Sequence, residues 1–307
     1  MARSAAAKKV IGLGLSVVDQ LILWQDMSRP VLGNRILACE TQGGGMVGTA
    51  LVAVSRLGGA AEFWGAVGSD WMGEWIVAGL AAEGVDTSQV VRVPGGRGPF
   101  VLVCVDQPTG ERHFPHYTGR LEPDGPIGSL ERLSGTGCVL IDATQPESQL
   151  RLAAEARRLG VPVVGDFSRI GQTTAALLKH VDYAIFSEGA LGDLDPGADP
   201  RAACEKLRSM GPRCAVITRG AKGLAYHDGE TYGEMPAFDV DVVDTTGAGD
   251  VLHGAFCYGL VQGFDLERNL RFASATAAVK CTRLGGRAGI PNRQEVERFL
   301  QEHQGAV

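Results

Sequence analysis

The sequence predicts an α/β fold in which a mainly parallel central sheet carries helices on both faces. Three observations lead there. Short β-rich apolar runs alternate with segments of helical period. The chain has 307 residues, 45% of them apolar, which is ample for a large buried core. Its 43 glycines fall in short clusters rather than in one low-complexity tract, as tight turns and close backbone approaches require.

The elements follow in order. VIGLG (Val10 to Gly14) reads as a first buried strand. From Met46 to Leu57, apolar residues at Val47, Ala50, Leu51, Val54 and Leu57 have helical spacing, and Gly58 and Gly59 can close that helix. AEFWGAVG reads as one further strand, with a helix from Trp75 to Glu83 after it. VLIDA, VPVVGDF, YAIFSE and CAVITRG are strand-like. Helices at Glu147–Leu159, Thr173–His180 and Arg201–Met210 separate them, which implies βαβ crossovers and a parallel sheet. The C-terminal third is helical at Gly249–Gln262, Leu266–Arg283 and Gln294–Glu302. Two stretches break the rhythm, about 19–42 and 99–117. In the second, FVLVCVD and ERHFPHY flank Gln107-Pro108-Thr109-Gly110, a hairpin signature. These β segments outside the main sheet are expected to form a small lid on a single domain spanning 1–307. There is no internal repeat.

Composition excludes several classes. The net charge is −6 and no long basic run occurs, so neither nucleic acid nor an anionic membrane is an expected partner. Seven cysteines, an odd count without a CxxC pair, read as reduced thiols of a cytoplasmic protein. The basic start MARSAAAKK precedes an apolar stretch that Asp19 interrupts, so neither a signal peptide nor a membrane span is expected.

The most informative run is DVVDTTGAGDVLHGAF. Its small residues let the backbone N–H groups of Gly247, Ala248 and Gly249 converge on an anion, and the helix start adds unpaired donors and the positive end of its dipole. Asp250 lies in the first turn. There it can accept a proton from an attacking hydroxyl beside that anion hole. Read locally, a carboxylate that merely caps a Gly-rich helix start fits the pattern equally well.

DTTGAGD followed by HGAF resembles the second signature of the PfkB (ribokinase-like) carbohydrate kinases. The resemblance extends from Asp19 to Pro291. It implies a ribokinase-like three-layer α/β/α sandwich, with Asp250 as general base and Gly247 to Gly249 as the anion hole. Asp244 and Thr246 match family positions that help hold a monovalent cation such as K+. The run KCTRLGGRAGIP, with Lys280, Arg283 and Gly285, matches the loop that completes that site, chiefly through backbone carbonyls. The family's first signature is matched by QGGGMVGTALVAVSRLGG, with Gly43, Gly44 and Gly45 in place and Thr49 where the usual Asn stands. Asp19 matches the acidic residue after the first strand, suited to accept from two vicinal hydroxyls. Of the lid residues Asn34, Arg35, Arg112, His113 and His116, the spacing puts His116 on the face opposite His113 and makes it a substrate-side candidate.

On the nucleotide side, VITRGAKGLAY resembles the family element that borders ATP, with Thr218, Gly220 and Gly223 at the small positions and Thr245 nearby. Arg219 or Lys222 could approach phosphates. The family's N-x-x-E motif, associated with Mg2+ and phosphate, falls on FSEGA, with Ser187 for Asn, Ala190 for Glu, and Glu188 adjacent as a substitute. GDFSR is similar to the family's D-x-N-x-R, with Ser168 for Asn.

The expected activity is ATP- and Mg2+-dependent phosphorylation of a small sugar. The C-terminal motifs are closest to the sulfofructose-kinase-like branch. The lid has Asn34, and no lysine, where a sulfonate would be recognised, so a ketohexose of the fructose type is the expected substrate. A nucleoside kinase of the same fold and a weakly catalytic sugar or nucleotide sensor are the alternatives. GLGLSVVD fails as a dinucleotide-binding loop because it lacks the third glycine. A homodimer through the lid is a further expectation.

Overall fold

The computed structural model describes residues 8–29, 33–109, 111–121, 128–194 and 199–303. The chain begins with β1 (Lys9–Leu13), β2 (Val17–Trp24), β3 (Ile36–Gly44), α1 (Met46–Arg56) and β4 (Ala60–Trp64). Next come β5 (Ala66–Gly68), α2 (Trp71–Ala82), β6 (Val91–Val93), β7 (Phe100–Asp106), β8 (Arg112–His113) and β9 (His116–Tyr117). Three crossovers follow: β10 (Cys138–Ile141), α3 (Pro146–Arg158), β11 (Val163–Phe167), α4 (Gln172–Leu178), β12 (Tyr183–Ser187), α5 (Leu191–Leu194), α6 (Pro200–Ser209) and β13 (Cys214–Thr218). The chain continues with β14 (Leu224–His227), β15 (Tyr232–Met235), α7 (Ala248–Val261), α8 (Leu266–Cys281) and α9 (Arg293–Glu302).

The central sheet has eight strands in the order β15-β14-β13-β12-β11-β10-β1-β4. The six from β13 to β4 are parallel, and β14 and β15 add an antiparallel edge. Alternation along each strand decides the layers. Val10, Leu140, Val164, Ile185 and Val216 face one core with Leu51 of α1, Phe256 of α7 and Leu270 of α8. Ile11, Val139, Val163, Ala184 and Ala215 face the other core with Leu152 of α3, Leu177 of α4 and Leu207 of α6. Both faces are therefore covered, which is why the strands read as continuous apolar runs.

Residues outside the rhythm form a second sheet, ordered β3-β2-β7-β8, with β9 also pairing β7. Val105 pairs with Arg112 and Cys104 with His113, the hairpin the sequence predicts. Gly110 of its turn, the side chain of Arg112 and the first seven residues lie outside the described set. The run AEFWGAVG is two strands rather than one. Gly65 separates β4, in the main sheet, from β5, which pairs with β6 in a small third sheet. The helix expected from Trp75 starts at Trp71, because the Asp70 side chain accepts from the Gly73 N–H and caps it.

Candidate active site

The carboxyl ends of β1, β10, β11, β12 and β13 share one edge of the main sheet, the edge where open α/β sheets bind ligands. The start of α7 also reaches this crevice. Gly254, nearly two turns into α7, lets that helix cross α1 closely: a Cβ there would lie 2.1 Å from the Ala50 carbonyl oxygen. The glycine of HGAF thus sets the depth of α7.

Gly247 is the N-cap of α7, at φ 74°, and no side chain caps the helix. That left-handed conformation suits glycine and leaves the helix start open. The Ala248 N–H closes a turn on the Thr245 carbonyl at 3.1 Å, so its donor is turned to the loop itself. Of the three N–H groups expected to line an anion hole, those of Gly247 and Gly249 remain the candidates. Asp250 sits half-buried in the first turn. Burial, with the neighbouring Asp166 and Asp19, pushes its carboxyl up to about 7, against the opposing pull of His253 and Arg287.

The residues expected on the sugar side converge on the same place. A Cβ on Gly247 would stand 3.5 Å from both the Thr49 methyl and the Gly286 Cα. A Cβ on Gly44 would stand 2.1 Å from the Asp19 carboxylate, so the glycine run exists to let that carboxylate and Arg287 lie against backbone. Asp19 is 8% exposed, and its carboxyl is pushed up to about 6 by burial, with Arg287 pulling the other way. In the second sheet Gln42, Asp19, Val101 and His116 occupy one row, so His116 shares the Asp19 face, and His113 lies on the opposite one. His116 is exposed.

Arg287 is the residue that motif reading missed. It is 6% exposed and donates to the Gly44 carbonyl at 2.6 Å, to Ser16 Oγ at 3.1 Å and, more weakly, to Thr49 Oγ1 at 3.4 Å. Burial lowers its pKa to about 10, and the carboxylates of Asp19 and Asp250 oppose that fall. It is the buried counter-charge of both acids. Its signal in the sequence was an Arg inside the Gly-rich GGRAG, which backbone-carbonyl logic passes over.

A second missed cluster lies beneath Asp250. Asp166, the Asp of GDFSR, is buried with Oδ2 lacking a hydrogen-bond partner. His253 Nδ1 stands 3.4 Å from that oxygen and donates to the Gly249 carbonyl at 2.8 Å. Burial pushes Asp166 up to about 8, with the Asp142 charge adding to the shift. Asp142 accepts from the Leu15 N–H (2.7 Å) and from Thr144 and Gln149, which fixes the turn after β1. Ala143 next to it has φ 66°, a left-handed strain that a non-glycine residue holds only where its neighbours fix it.

At the nucleotide end, Ser187 pairs with Thr218 across the ends of β12 and β13, and the Thr218 hydroxyl donates to the Phe186 carbonyl at 3.3 Å. Gly220 and Gly223 both have positive φ around the turn into β14. Lys222 and Arg219, considered for phosphates, are engaged with Glu188 and Glu234. Glu188 is thus held in an exposed ion pair at 3.1 Å. Among the described residues, no group of three or more His, Cys, Asp or Glu is arranged to hold a metal ion.

The residues expected to surround a monovalent cation do lie together. Asp244 Oδ1 accepts from the Thr246 N–H and Oδ2 from the Gly285 N–H, both at 2.9 Å. The Asp244 carbonyl, however, accepts from Lys280 Nζ at 2.7 Å, and Lys280 is fully buried. Arg283 turns its side chain away to Glu295. One oxygen of that set, the Asp244 carbonyl, is thus already taken by an ammonium, against which an additional cation would have to be held. A second unit charge about 4 Å away would be repelled by roughly 4 kcal/mol at an effective dielectric of 20.

An uncapped helix start, a carboxylate in its first turn, and a buried Asp19 and Arg287 close by are the features a small-molecule phosphotransferase of the α/β class would use. The profile of the pfkB family carbohydrate kinases matches residues 12–293, and the chain belongs to that family. A ribokinase of Bacillus subtilis is 28% identical over 89% of this chain and 93% of its own. Fructokinase-1 of Zea mays is 27% identical over 84% and 88%. Among solved structures, a provisionally named ribokinase of Agrobacterium tumefaciens superposes with a TM-score of 0.90 at 30% identity, covering 97% of this chain and 99% of its own. The ribokinase-like α/β fold expected from the motifs is the observed one.

Proposed function

We propose that this carbohydrate kinase transfers the γ-phosphoryl group of ATP to a hydroxyl of a small ketohexose-type sugar. The observation that carries the reading is the convergence of Asp250, the open start of α7 and the Asp19–Arg287 pair, drawn from three distant segments, in one crevice. The sugar oxygen attacks the γ-phosphorus as the bond to the β-phosphate oxygen breaks, ADP leaves, and the hydroxyl proton passes to Asp250. The N–H groups of Gly247 and Gly249 face the charge that develops on the transferred group. Asp19 accepts from sugar hydroxyls, with Arg287 holding it ionised. Ser187, Thr218, Gly220, Gly223 and Thr245 border the nucleotide.

Solved relatives support the cosubstrates: an Arabidopsis thaliana ribokinase was determined with ribose and ATP, and an Escherichia coli relative with ATP and magnesium. Mg2+ is proposed to enter as the partner of the ATP phosphates. The second sheet is proposed as the lid over the sugar. Its exposed Ile36, Leu37 and Phe114 are proposed to pair two copies as a homodimer. Seven unpaired thiols favour the cytoplasm, and no described helix is long and apolar enough to cross a membrane. A coupled ADP-release screen over ketohexoses, aldoses, sugar phosphates, sulfosugars and nucleosides tests the reading. A ketohexose hit is expected, a nucleoside hit would replace the substrate class, and no hit at all would favour a sensor.

A further inference from the structure

Lys280 extends from the last turn of α8 into the protein interior, with no exposed surface. Its Nζ donates to the Asp244 carbonyl at 2.7 Å. The same stretch is laced to the loop after α8 at further points. The Val243 and Asp244 N–H groups donate to the Cys281 carbonyl at 2.8 and 3.1 Å, and the Gly285 N–H donates to the Asp244 carboxylate. Three residues beyond Asp244 the chain enters the left-handed Gly247 that opens α7. The Lys280 side chain is therefore one of the contacts that hold the segment leading into Gly247. Burying a long cationic side chain is unfavourable where a methionine would fill the space, so a buried lysine here needs a use beyond packing.

We infer that the Lys280 ammonium is a built-in monovalent cation, binding the Asp244 carbonyl in place of a dissociable alkali ion and bracing the anion-hole segment against the 282–286 loop. An ammonium group carries the charge of K+ and is close to it in size. Tethered to α8, it is present at any salt concentration. Lys280 is thus a positioning residue that acts through the backbone of Asp244 to Gly247, and its catalytic effect rests on the phosphoryl-transfer reading above.

The test compares potassium chloride with tetramethylammonium chloride at equal ionic strength. For the unaltered protein, kcat and the KM for ATP should differ by less than about twofold between the two salts, and the melting temperature of the substrate-free protein should be the same. Lys280→Ala should lose at least about tenfold in kcat in tetramethylammonium, with the sugar KM less affected, and should regain part of it with K+ or NH4+. Its substrate-free melting temperature should rise on adding K+. Lys280→Met, which fills the space without the charge, should be inactive in both salts and insensitive to K+. Activation of the unaltered protein by K+ of about fivefold or more, or a K+-dependent rise in its melting temperature, would overturn the inference. So would a Lys280→Ala enzyme as active as the parent in tetramethylammonium. If the alanine variant does not fold, the salt comparison on the parent and the methionine variant decides. If no sugar is turned over, the kinase reading fails separately, and the melting-temperature comparisons still decide the role of Lys280.

Discussion

Asp250→Asn separates a catalytic base from a helix cap, because the two roles move stability in opposite directions. Burial and the neighbouring acids raise the Asp250 carboxyl from 3.8 to about 7. The folded protein therefore keeps a proton that the unfolded chain has lost. Stability falls as pH climbs through that window, and the loss is complete above about 7. About three pKa units correspond to roughly 4 kcal/mol. The carboxylate still meets some water and shares its titration with Asp166, so a contribution of about 1–3 kcal/mol is the expectation. Asparagine has the same shape and no charge to bury. Melting curves should show Asp250→Asn more stable than the parent at pH 8 by a few degrees, with the gap closing near pH 4. Turnover should meanwhile fall by roughly 10²–10⁴-fold, the usual worth of a positioned base. In the parent, kcat/KM should drop about tenfold per pH unit below about 7. A variant that melts lower at every pH would identify Asp250 as a cap, and one with parental turnover would refute its role as base.

Asp166 and Asp250 titrate as an interacting pair, so Asp166→Asn should leave Asp250 to titrate alone and move the acid limb of the pH profile to lower pH; an unmoved limb would separate the two acids. Arg287→Met strips Asp19 and Asp250 of their shared counter-charge. The sugar KM should rise, the acid limb should move to higher pH, and stability at pH 8 should fall by about 3 kcal/mol, read from denaturant curves. Thr49→Ala should raise the KM for sugar by roughly three- to tenfold and leave that for ATP nearly unchanged, as loss of one hydroxyl contact implies. Equal changes in both would place Thr49 outside the sugar pocket.

What the sequence determined by itself is whatever short-range pattern carries. Period-2 and period-3.6 apolar spacing marked the βαβ crossovers, since each strand needs alternating residues for the two cores on either side of it. The breaks in that rhythm marked the second sheet. The Gly-rich run before Val251 marked the open helix start, because only small residues permit it. The antiparallel β15, the division of AEFWGAVG at Gly65 and the start of α2 at Trp71 were not legible, since pairing partners and caps set them. Tertiary structure alone decided the electrostatics of the site. Asp166 and His253 are ordinary strand and helix residues until the fold sets them 3.4 Å apart under Asp250. Arg287 is 268 positions from Asp19 along the chain, yet it is that acid's counter-charge. Lys280 was expected to help complete a cation site, chiefly through its backbone carbonyl, and the fold instead sets its own ammonium on the Asp244 carbonyl. Charges act through space and burial, and neither can be read from neighbours in sequence.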